Sequence, residues 1–243
     1  MRPIVLMTLF PDAVSAMLNR GLLGKALGVH VSLTIVDLRL FGYTRHGHVD
    51  DRPYGGKQGL ILRPDVVARA LESIPDYDQY TVIHPSPAAP SLTQSMVHEL
   101  ARDSRGLIII PGYYEGLDER IIAIFNVQTV SVGDFVLMNG DLPALAIIES
   151  TIRVMPGVIH DPMCVEEDTF PMGLFEHPQY TTPKVFKNHE VPAILRSGNH
   201  SKIADWKRQQ SLGRTLCLRP DLIQVASLTD HDRTLLRQYV SSV

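Results

Sequence analysis

Short apolar runs alternate with helical patterns through the first 155 residues of the chain. Five runs rich in Val, Ile and Leu have the length and composition of β-strands. These predicted strands are residues 4–10, 31–36, 80–83, 107–110 and 127–132. Between them, apolar residues recur at helical spacing, most clearly over residues 91–101, 117–125 and 142–155. This alternation predicts an α/β domain with a mostly parallel sheet.

The pattern changes after Pro156-Gly157. Prolines punctuate residues 158–183, at positions 162, 171, 178 and 183, which is typical of a linker or lid. Beyond it, Asn199 can cap one helix and Thr229-Asp230 can open another. The sequence therefore predicts a first domain over residues 1–158, a flexible linker over 159–176, and a small helical domain over 177–243.

Two glycine-containing turns carry the candidate chemistry. Residues 111–120 and 131–143 each follow a predicted strand and lead into a helical pattern, an arrangement that forms ligand pockets in α/β proteins. Their carboxylates are Glu115, Asp118, Glu119, Asp134 and Asp141. A pyrophosphate would meet negative charge there, and the turns contain neither a Lys-Ser/Thr pair nor G-x-G-x-x-G. A cationic nucleoside without phosphates, such as S-adenosylmethionine, fits better.

Composition narrows the class of protein. The 243 residues are 44% hydrophobic, which is ordinary for a globular protein. No apolar run approaches the roughly 18 residues of a membrane span, so we expect no membrane association. The two cysteines, Cys164 and Cys217, form no C-x-x-C pair, which favours a cytoplasmic protein without a disulfide framework. His46 and His48 have no metal-ligand spacing with them, so we expect no structural zinc.

Charge is divided unevenly along the chain. The net charge is −3, yet residues 177–243 contain ten Lys and Arg against five Asp and Glu. This excess suits either a polyanion partner or an ordinary solvated helical surface. The phosphate candidates here are Lys202, Lys207, Arg208 and Arg214, whereas Trp206 is expected to anchor the domain core. Earlier in the chain, a glycine-containing loop includes Arg45, Arg52 and Tyr54. These residues suit phosphate contact and base stacking with RNA, and the alternative is a mobile loop without such a role.

Motifs along nearly the whole chain resemble the bacterial tRNA (guanine-N1)-methyltransferases, a family of SPOUT knotted methyltransferases. The matching segments, in family order, are residues 49–56, residue 112 with 114–120, then 131–137, 142–144, 156–158, 167–170, 178–181, 197–200 and 211–215. The resemblance implies a deep trefoil knot in the α/β domain, a small all-α C-terminal domain, and an obligate homodimer with composite active sites. It also implies methyl transfer from S-adenosylmethionine to N1 of the guanosine immediately 3′ of the anticodon in tRNA.

Residue roles follow from the same resemblance. It implies Asp168 as the base that removes the guanine N1 proton and Arg153 as the cation that stabilises charge on O6. The cofactor residues that it implies are Pro85, Ser86, Pro87, Gly112, Glu115, Val132, Gly133, Asp134, Phe135, Val136, Leu137, Gly140 and Pro143. Whether a divalent cation such as Mg²⁺ assists stays open.

Several positions depart from the family pattern, among them residues 86–90, which lack the basic residues usual after Ser-Pro. Tyr113 stands where the family has Arg, Asn139 replaces the first glycine of a Gly-Gly pair, and Lys57-Gln58 replaces Gly-Pro. Two other functions also remain open at this point. One is a knotted methyltransferase that acts on another tRNA or rRNA position. The other is a non-catalytic RNA-binding protein, which would have a damaged cofactor pocket.

Overall fold

The computed structural model describes residues 1–56, 58–161, 169–170 and 173–242. The chain folds as two units, Met1–His160 and Asp161–Val243. The first unit contains the central sheet and the second contains the C-terminal helices.

A five-stranded parallel sheet forms the centre of the first unit. Its strands are β1 (Arg2–Thr8), β2 (Val31–Asp37), β5 (Tyr80–Pro85), β6 (Gly106–Ile109) and β7 (Gln128–Val130), and their spatial order is β2-β1-β6-β5-β7. All four neighbouring pairs are parallel, so the predicted α/β class with a parallel sheet is confirmed. A separate antiparallel pair joins β3 (Asp50–Asp51) to β4 (Ile61–Leu62).

Helices cover both faces of the sheet. They are α1 (Pro11–Leu18), α2 (Gly21–Ala26), α3 (Pro64–Glu72), α4 (Gln94–Arg102), α5 (Glu119–Ile124) and α6 (Asp141–Arg153). In β1, Ile4 and Leu6 belong to one apolar cluster with α1 and α6, whereas Val5 and Met7 belong to another with α3 and α5. Both faces of the strand are buried, which explains why its sequence is a continuous apolar run rather than an alternating one.

The ends of several elements differ from the sequence prediction. Strand β1 ends at Thr8 rather than at residue 10, because Pro11 already begins α1. Strand β7 covers three residues and the turn begins at Ser131. Helix α5 begins at Glu119 rather than at 117, because the Asp118 side chain accepts a hydrogen bond from the Arg120 amide and caps the helix.

The second unit is mainly helical, as predicted, with two additions. Its helices are α7 (His200–Leu218), α8 (Pro220–Val225) and α9 (Asp230–Ser242). Asn199 caps α7 as expected, since its side chain accepts a hydrogen bond from the Lys202 amide at 3.1 Å. The sequence did not predict α8, nor the short hairpin formed by β8 (Val185–Phe186) and β9 (His189–Glu190).

The core of the second unit includes a residue from the predicted linker. Leu174, Leu212 and Leu235 form its buried cluster. The adjoining Phe175 amide donates to Thr215 Oγ1 at 2.8 Å on α7. Residues 174–175, which the sequence placed in the linker, therefore belong to the packed part of this unit.

A buried ion pair fastens α9 to α7. Asp232 accepts from Arg208 Nε at 2.6 Å and Nη2 at 3.0 Å, and its side chain is only 5% exposed. Thr229 and Asp232 also exchange backbone-to-side-chain hydrogen bonds of 3.0 and 3.1 Å, which is a capping box. The Arg208 guanidinium, together with the Thr229 bonds, holds the pKa of the Asp232 carboxyl well below its usual range.

We expect Asp232→Asn to lower the free energy of unfolding of this unit by about 3 kcal/mol at pH 7, because it leaves Arg208 partly buried without its counter-charge. The pKa of Asp232 is lower in the folded state than in the unfolded state, where it is near 4. The Asp232 carboxylate therefore stabilises the fold fully at pH values above about 4, and this stabilisation is lost as the pH falls towards the pKa of the folded state. The deficit of the variant should therefore shrink in acid. Trp206, the single tryptophan, lies in this unit and reports its urea transition by fluorescence.

Asp221→Asn is the matched control for this experiment. Asp221 also pairs with an arginine, Arg219, but both side chains are about half exposed. Such a pair contributes on the order of 0–1 kcal/mol. Equal losses in the two variants would contradict the role assigned to Asp232.

Candidate active site

Three loops meet at the carboxyl edge of the sheet, after β5, β6 and β7. They comprise residues 86–93, 110–118 and 131–140, and we refer to them together as the cradle. Backbone hydrogen bonds join the first loop to the third, from the Leu92 amide to the Ser131 carbonyl (2.7 Å) and from the Ser131 amide to the Pro90 carbonyl (2.8 Å). The second joins the third through the Gly140 amide and the Gly112 carbonyl (2.7 Å). The cradle is therefore one connected surface, at the edge where open α/β sheets bind ligands.

The cradle and the first turn of α6 contain every residue that the resemblance assigned to the cofactor, except Pro85, which ends β5. These residues are Ser86, Pro87, Gly112, Glu115, Val132, Gly133, Asp134, Phe135, Val136, Leu137, Gly140 and Pro143. The side chains of residues 134–138 are exposed. The structure thus brings the predicted residues to one place, and their role in cofactor binding stays a prediction.

Two of the glycines are required by packing between loops. A Cβ on Gly140 would lie 2.5 Å from the backbone nitrogen of Gly112, and a Cβ on Gly112 would lie 2.9 Å from His84 Cε1. Distances this short cannot be accommodated without moving the loops. The sequence argument explained these glycines by a turn at a ligand, whereas their first role is the close approach of the cradle loops to one another.

His84, near the end of β5 and beside the cradle, is a buried residue that sequence reasoning missed. Its Nδ1 lies 2.8 Å from the Ile110 carbonyl, which requires Nδ1 to carry a proton and to donate it. Burial lowers the pKa of the ring, so it is neutral at pH 7 and Nε2 is an acceptor. Nε2 has no hydrogen-bond partner among the described residues. It stands 3.6 Å from the point where a Cβ on Gly112 would be.

Two of the carboxylates in the turns have structural roles. Asp118 caps α5 and pairs with Arg120 at 2.8 Å. Asp141 is buried and accepts from the Tyr113 hydroxyl at 2.6 Å and from Thr8 Oγ1 at 3.0 Å. These two carboxylates were part of the argument that the turns would repel a pyrophosphate, but both are already paired within the protein. The carboxylates that remain exposed in these turns are Glu115, Glu119 and Asp134.

Tyr113, which stands where the family has Arg, joins β1 to α6. Besides Asp141, its hydroxyl lies 2.8 Å from Thr8 Oγ1 and accepts from the Leu9 amide at 3.0 Å. Burial, and then the neighbouring Asp141 carboxylate, raise the pKa of Tyr113 far above its usual range, so it stays a neutral donor. Asn139, a second departure, accepts from the Asp141 amide at 3.0 Å and so supports the start of α6.

The two predicted catalytic residues lie in different parts of the chain. Arg153 is the last residue of α6, whose first residue, Asp141, adjoins the cradle. Thirteen helical residues span about 18 Å along the helix axis. Asp168 lies outside the described residues, as do Glu166 and Glu167.

The predicted RNA residues of the first unit are solvent-exposed. Tyr54 is 98% exposed, and Arg45 and Arg52 are exposed as well. In the same region the Arg63 guanidinium stacks 4.0 Å from the Tyr43 ring centroid, a pair that sequence reasoning missed. Lys57 lies outside the described residues.

In the second unit the predicted phosphate contacts divide into two groups. Lys202, Lys207 and Arg214 are exposed and available to a polyanion. Arg208, which the sequence analysis grouped with them, is half-buried in its ion pair with Asp232. Trp206 is half-buried between the rings of His177 and Tyr180, at 6.4 and 6.3 Å, so it packs within its own unit.

Helices long and apolar enough to cross a membrane do not occur in the described part of the chain. Groups of three or more His, Cys, Asp or Glu side chains placed to hold a metal ion are likewise not found among those residues.

Comparison with known proteins gives one family. The family described as "tRNA (Guanine-1)-methyltransferase TrmD" matches residues 1–225. A curated protein of Thermus thermophilus, named tRNA (guanine-N(1)-)-methyltransferase, is 45% identical over 233 residues, which cover 95% of each chain. Proteins of the same name from Gloeothece citriformis and Pediococcus pentosaceus are 41% and 39% identical. They cover 89% and 97% of this chain and 94% and 97% of their own lengths.

Proposed function

Because the chain belongs to the tRNA (guanine-N1)-methyltransferase family, it is a methyltransferase that uses S-adenosylmethionine, and we propose that it methylates N1 of the guanosine immediately 3′ of the anticodon in tRNA. The observation that carries this proposal is the intact cradle, whose three loops hold the residues that the resemblance assigned to the cofactor. A non-catalytic RNA-binding protein would be expected to have lost this arrangement. No feature of the described residues favours another RNA position over guanine N1.

The cradle residues fit a cofactor with a cationic centre and no phosphate. Glu115 and Asp134 are exposed there, where they would attract a sulfonium and repel a phosphate. When bound, S-adenosylmethionine supplies an electrophilic methyl group. The role of the protein is to hold the cofactor in place and to exclude water.

The protein must also remove a proton from guanine N1 before this nitrogen can attack. We assign this step to the Asp168 carboxylate, which acts as general base. Negative charge then develops on guanine O6, and the Arg153 guanidinium stabilises it. Both assignments rest on the family resemblance.

We assign the working unit to a homodimer with shared sites. Arg153 stands about 18 Å along α6 from its own cradle, so it can meet a guanine at a cradle more readily in a second copy. An exposed apolar patch offers the contact. It consists of Phe10, Met17, Leu137, Met138 and Leu142. A symmetric two-fold contact would bury this patch on both copies.

Helix α6 contributes only its first turn to this apolar patch. The sequence predicted a helical pattern of apolar residues over 142–155, and most of the apolar side chains of α6 are buried within its own unit. Leu142, which adjoins the cradle, is about half exposed. The patch is therefore formed by the cradle loop and α1 together with the first turn of α6.

The C-terminal unit is assigned to tRNA binding. Its positive excess supplies phosphate contacts, which make affinity for a nucleic acid fall with salt. Since tRNA is its substrate, we place the protein in the cytoplasm.

Binding of S-adenosylmethionine by the chain alone tests the cradle. We expect calorimetry to show binding that neither ATP nor NAD displaces. Gly140→Ala should weaken it at least tenfold, about 1.4 kcal/mol, because the new Cβ displaces the Gly112 backbone.

Gly106→Ala is the matched control. A Cβ there would lie 2.3 Å from the Tyr80 ring, so the site is as crowded, but Gly106 begins β6 at the opposite edge of the sheet. This variant should lose stability and keep its cofactor affinity below the melting temperature. Binding of ATP in place of S-adenosylmethionine would contradict the proposal.

A further inference from the structure

The hairpin β8–β9 in the second unit has an unusual turn. Val185 pairs with Glu190 and Phe186 with His189, so only Lys187 and Asn188 connect the strands. Both have left-handed backbone angles, with φ of 47° and 66°. This is the geometry of a two-residue type I′ turn, for which Asn-Gly is the favoured sequence. A lysine at the first position is strained, and such strain is concentrated at functional positions.

The hairpin is exposed on both faces. Every residue from 181 to 190 is exposed, and Phe186 is 62% exposed. None of its side chains belongs to the apolar cluster of this unit. The Phe186 ring therefore contributes little to the core of this unit and is accessible to a partner.

One face of the hairpin combines an aromatic ring, an imidazole and a cation. Directly paired residues of an antiparallel ribbon project to the same side, so Phe186 and His189 share a face. The Lys187 ammonium lies 5.5 Å from the Phe186 ring centroid. We call Phe186, Lys187 and His189 the hairpin face.

The charges around the hairpin favour a polyanion. Glu190, the single acid between residues 181 and 196, is already paired with Lys184 at 3.3 Å and with Arg196. Lys187 has no carboxylate partner among the described residues. The hairpin face therefore presents an unneutralised cation beside an aromatic ring.

We propose that the hairpin face binds an unpaired nucleotide of the tRNA substrate, with the Phe186 ring stacked on the base and Lys187 contacting a neighbouring phosphate. Aromatic rings with adjacent cations are the usual platform for single-stranded RNA, because every base has a face that can stack. This inference rests on the proposed function and adds a contact that the family motifs do not include. A protein partner would more often be met by an apolar surface without the uncompensated charge.

Two variants separate the two halves of the contact. Phe186→Ala should raise the Kd for tRNA roughly 5- to 100-fold, since stacking contributes on the order of 1–3 kcal/mol per base. It should leave the dependence of Kd on salt unchanged. Lys187→Gln should lower the slope of log Kd against log salt by about 0.7, the value of one phosphate contact on a single strand. Phe186→Tyr keeps the ring and should bind like the wild type.

Val225→Ala is the matched control, because Val225 is an apolar residue of the same unit that is 81% exposed. It should change neither Kd nor slope. The Kd values come from fluorescence anisotropy with labelled tRNA, and native mass spectrometry checks each variant for the dimer.

Three outcomes would overturn an assignment. If Phe186→Ala binds tRNA as Val225→Ala does while all variants methylate normally, the hairpin inference fails and the proposed function stands. If Phe186→Ala binds weakly because the dimer has dissociated, the face is a contact between copies instead. If the wild-type chain itself transfers no methyl group to tRNA, the proposed function fails.

Discussion

Asp168→Asn is expected to remove most methyl transfer and to leave the affinity for S-adenosylmethionine unchanged. Asparagine has nearly the same shape as aspartate but cannot accept the proton of guanine N1. Loss of a general base typically lowers a rate by about 10²–10⁴. For the variant and the wild type, the single-turnover rate of methyl transfer to tRNA and the cofactor affinity by calorimetry are measured on the same preparation.

Glu167→Gln is the control for this experiment, since it removes a carboxylate from the adjacent position of the same acidic segment. Its turnover should stay within a few-fold of the wild type. A normal single-turnover rate for Asp168→Asn would place the base on another residue.

A mixture of two inactive variants is expected to recover activity if the sites are shared between subunits. Asp168→Asn removes the base, and Gly133→Trp obstructs the cradle, because even a Cβ at position 133 would lie 2.4 Å from the Phe135 ring. In a mixed dimer, the intact cradle of one copy meets the intact Asp168 of the other. If subunits mix at random, about half of the dimers are mixed. Each mixed dimer has one working site out of two, so we expect about a quarter of the wild-type activity.

Arg153→Ala in place of Asp168→Asn extends the same test. Because α6 separates Arg153 from its own cradle, this variant should also complement Gly133→Trp. Mixed dimers that are verified by native mass spectrometry and yet stay as inactive as their parents would show that each site is built from one chain.

Much of the first unit could be predicted because its signals are local. An apolar run such as β1 needs only its own residues to be recognised, and the order of strands and helices along the chain is enough to predict a parallel sheet. The gathering of glycine turns at one edge follows from the same geometry, since parallel strands end together.

What could not be predicted depends on partners distant in sequence. From the sequence, Asp141 resembles an acid that binds a ligand. In the structure it is hydrogen-bonded by Thr8, which is 133 positions away in the sequence, and by Tyr113, which is 28 positions away. Arg208 resembles a free surface cation until Asp232 is placed beside it. The position of a charged residue in the sequence does not show whether its charge is neutralised in the fold.

The hairpin was missed for a different reason. Its strands have two residues each, and its turn contains Lys-Asn in place of the usual glycine signal, so neither periodicity nor turn composition marks it. The same feature, a strained lysine beside an exposed ring, is what makes it a candidate contact for RNA.

The most direct test of the account is to identify the product. The chain is incubated with methyl-labelled S-adenosylmethionine and a tRNA transcript that has a guanosine 3′ of its anticodon, and the digested nucleosides are analysed. We predict label in 1-methylguanosine alone, and its loss when that guanosine is replaced by adenosine. Label on a ribose, on another base, or at another guanosine of the same tRNA would contradict the proposed function.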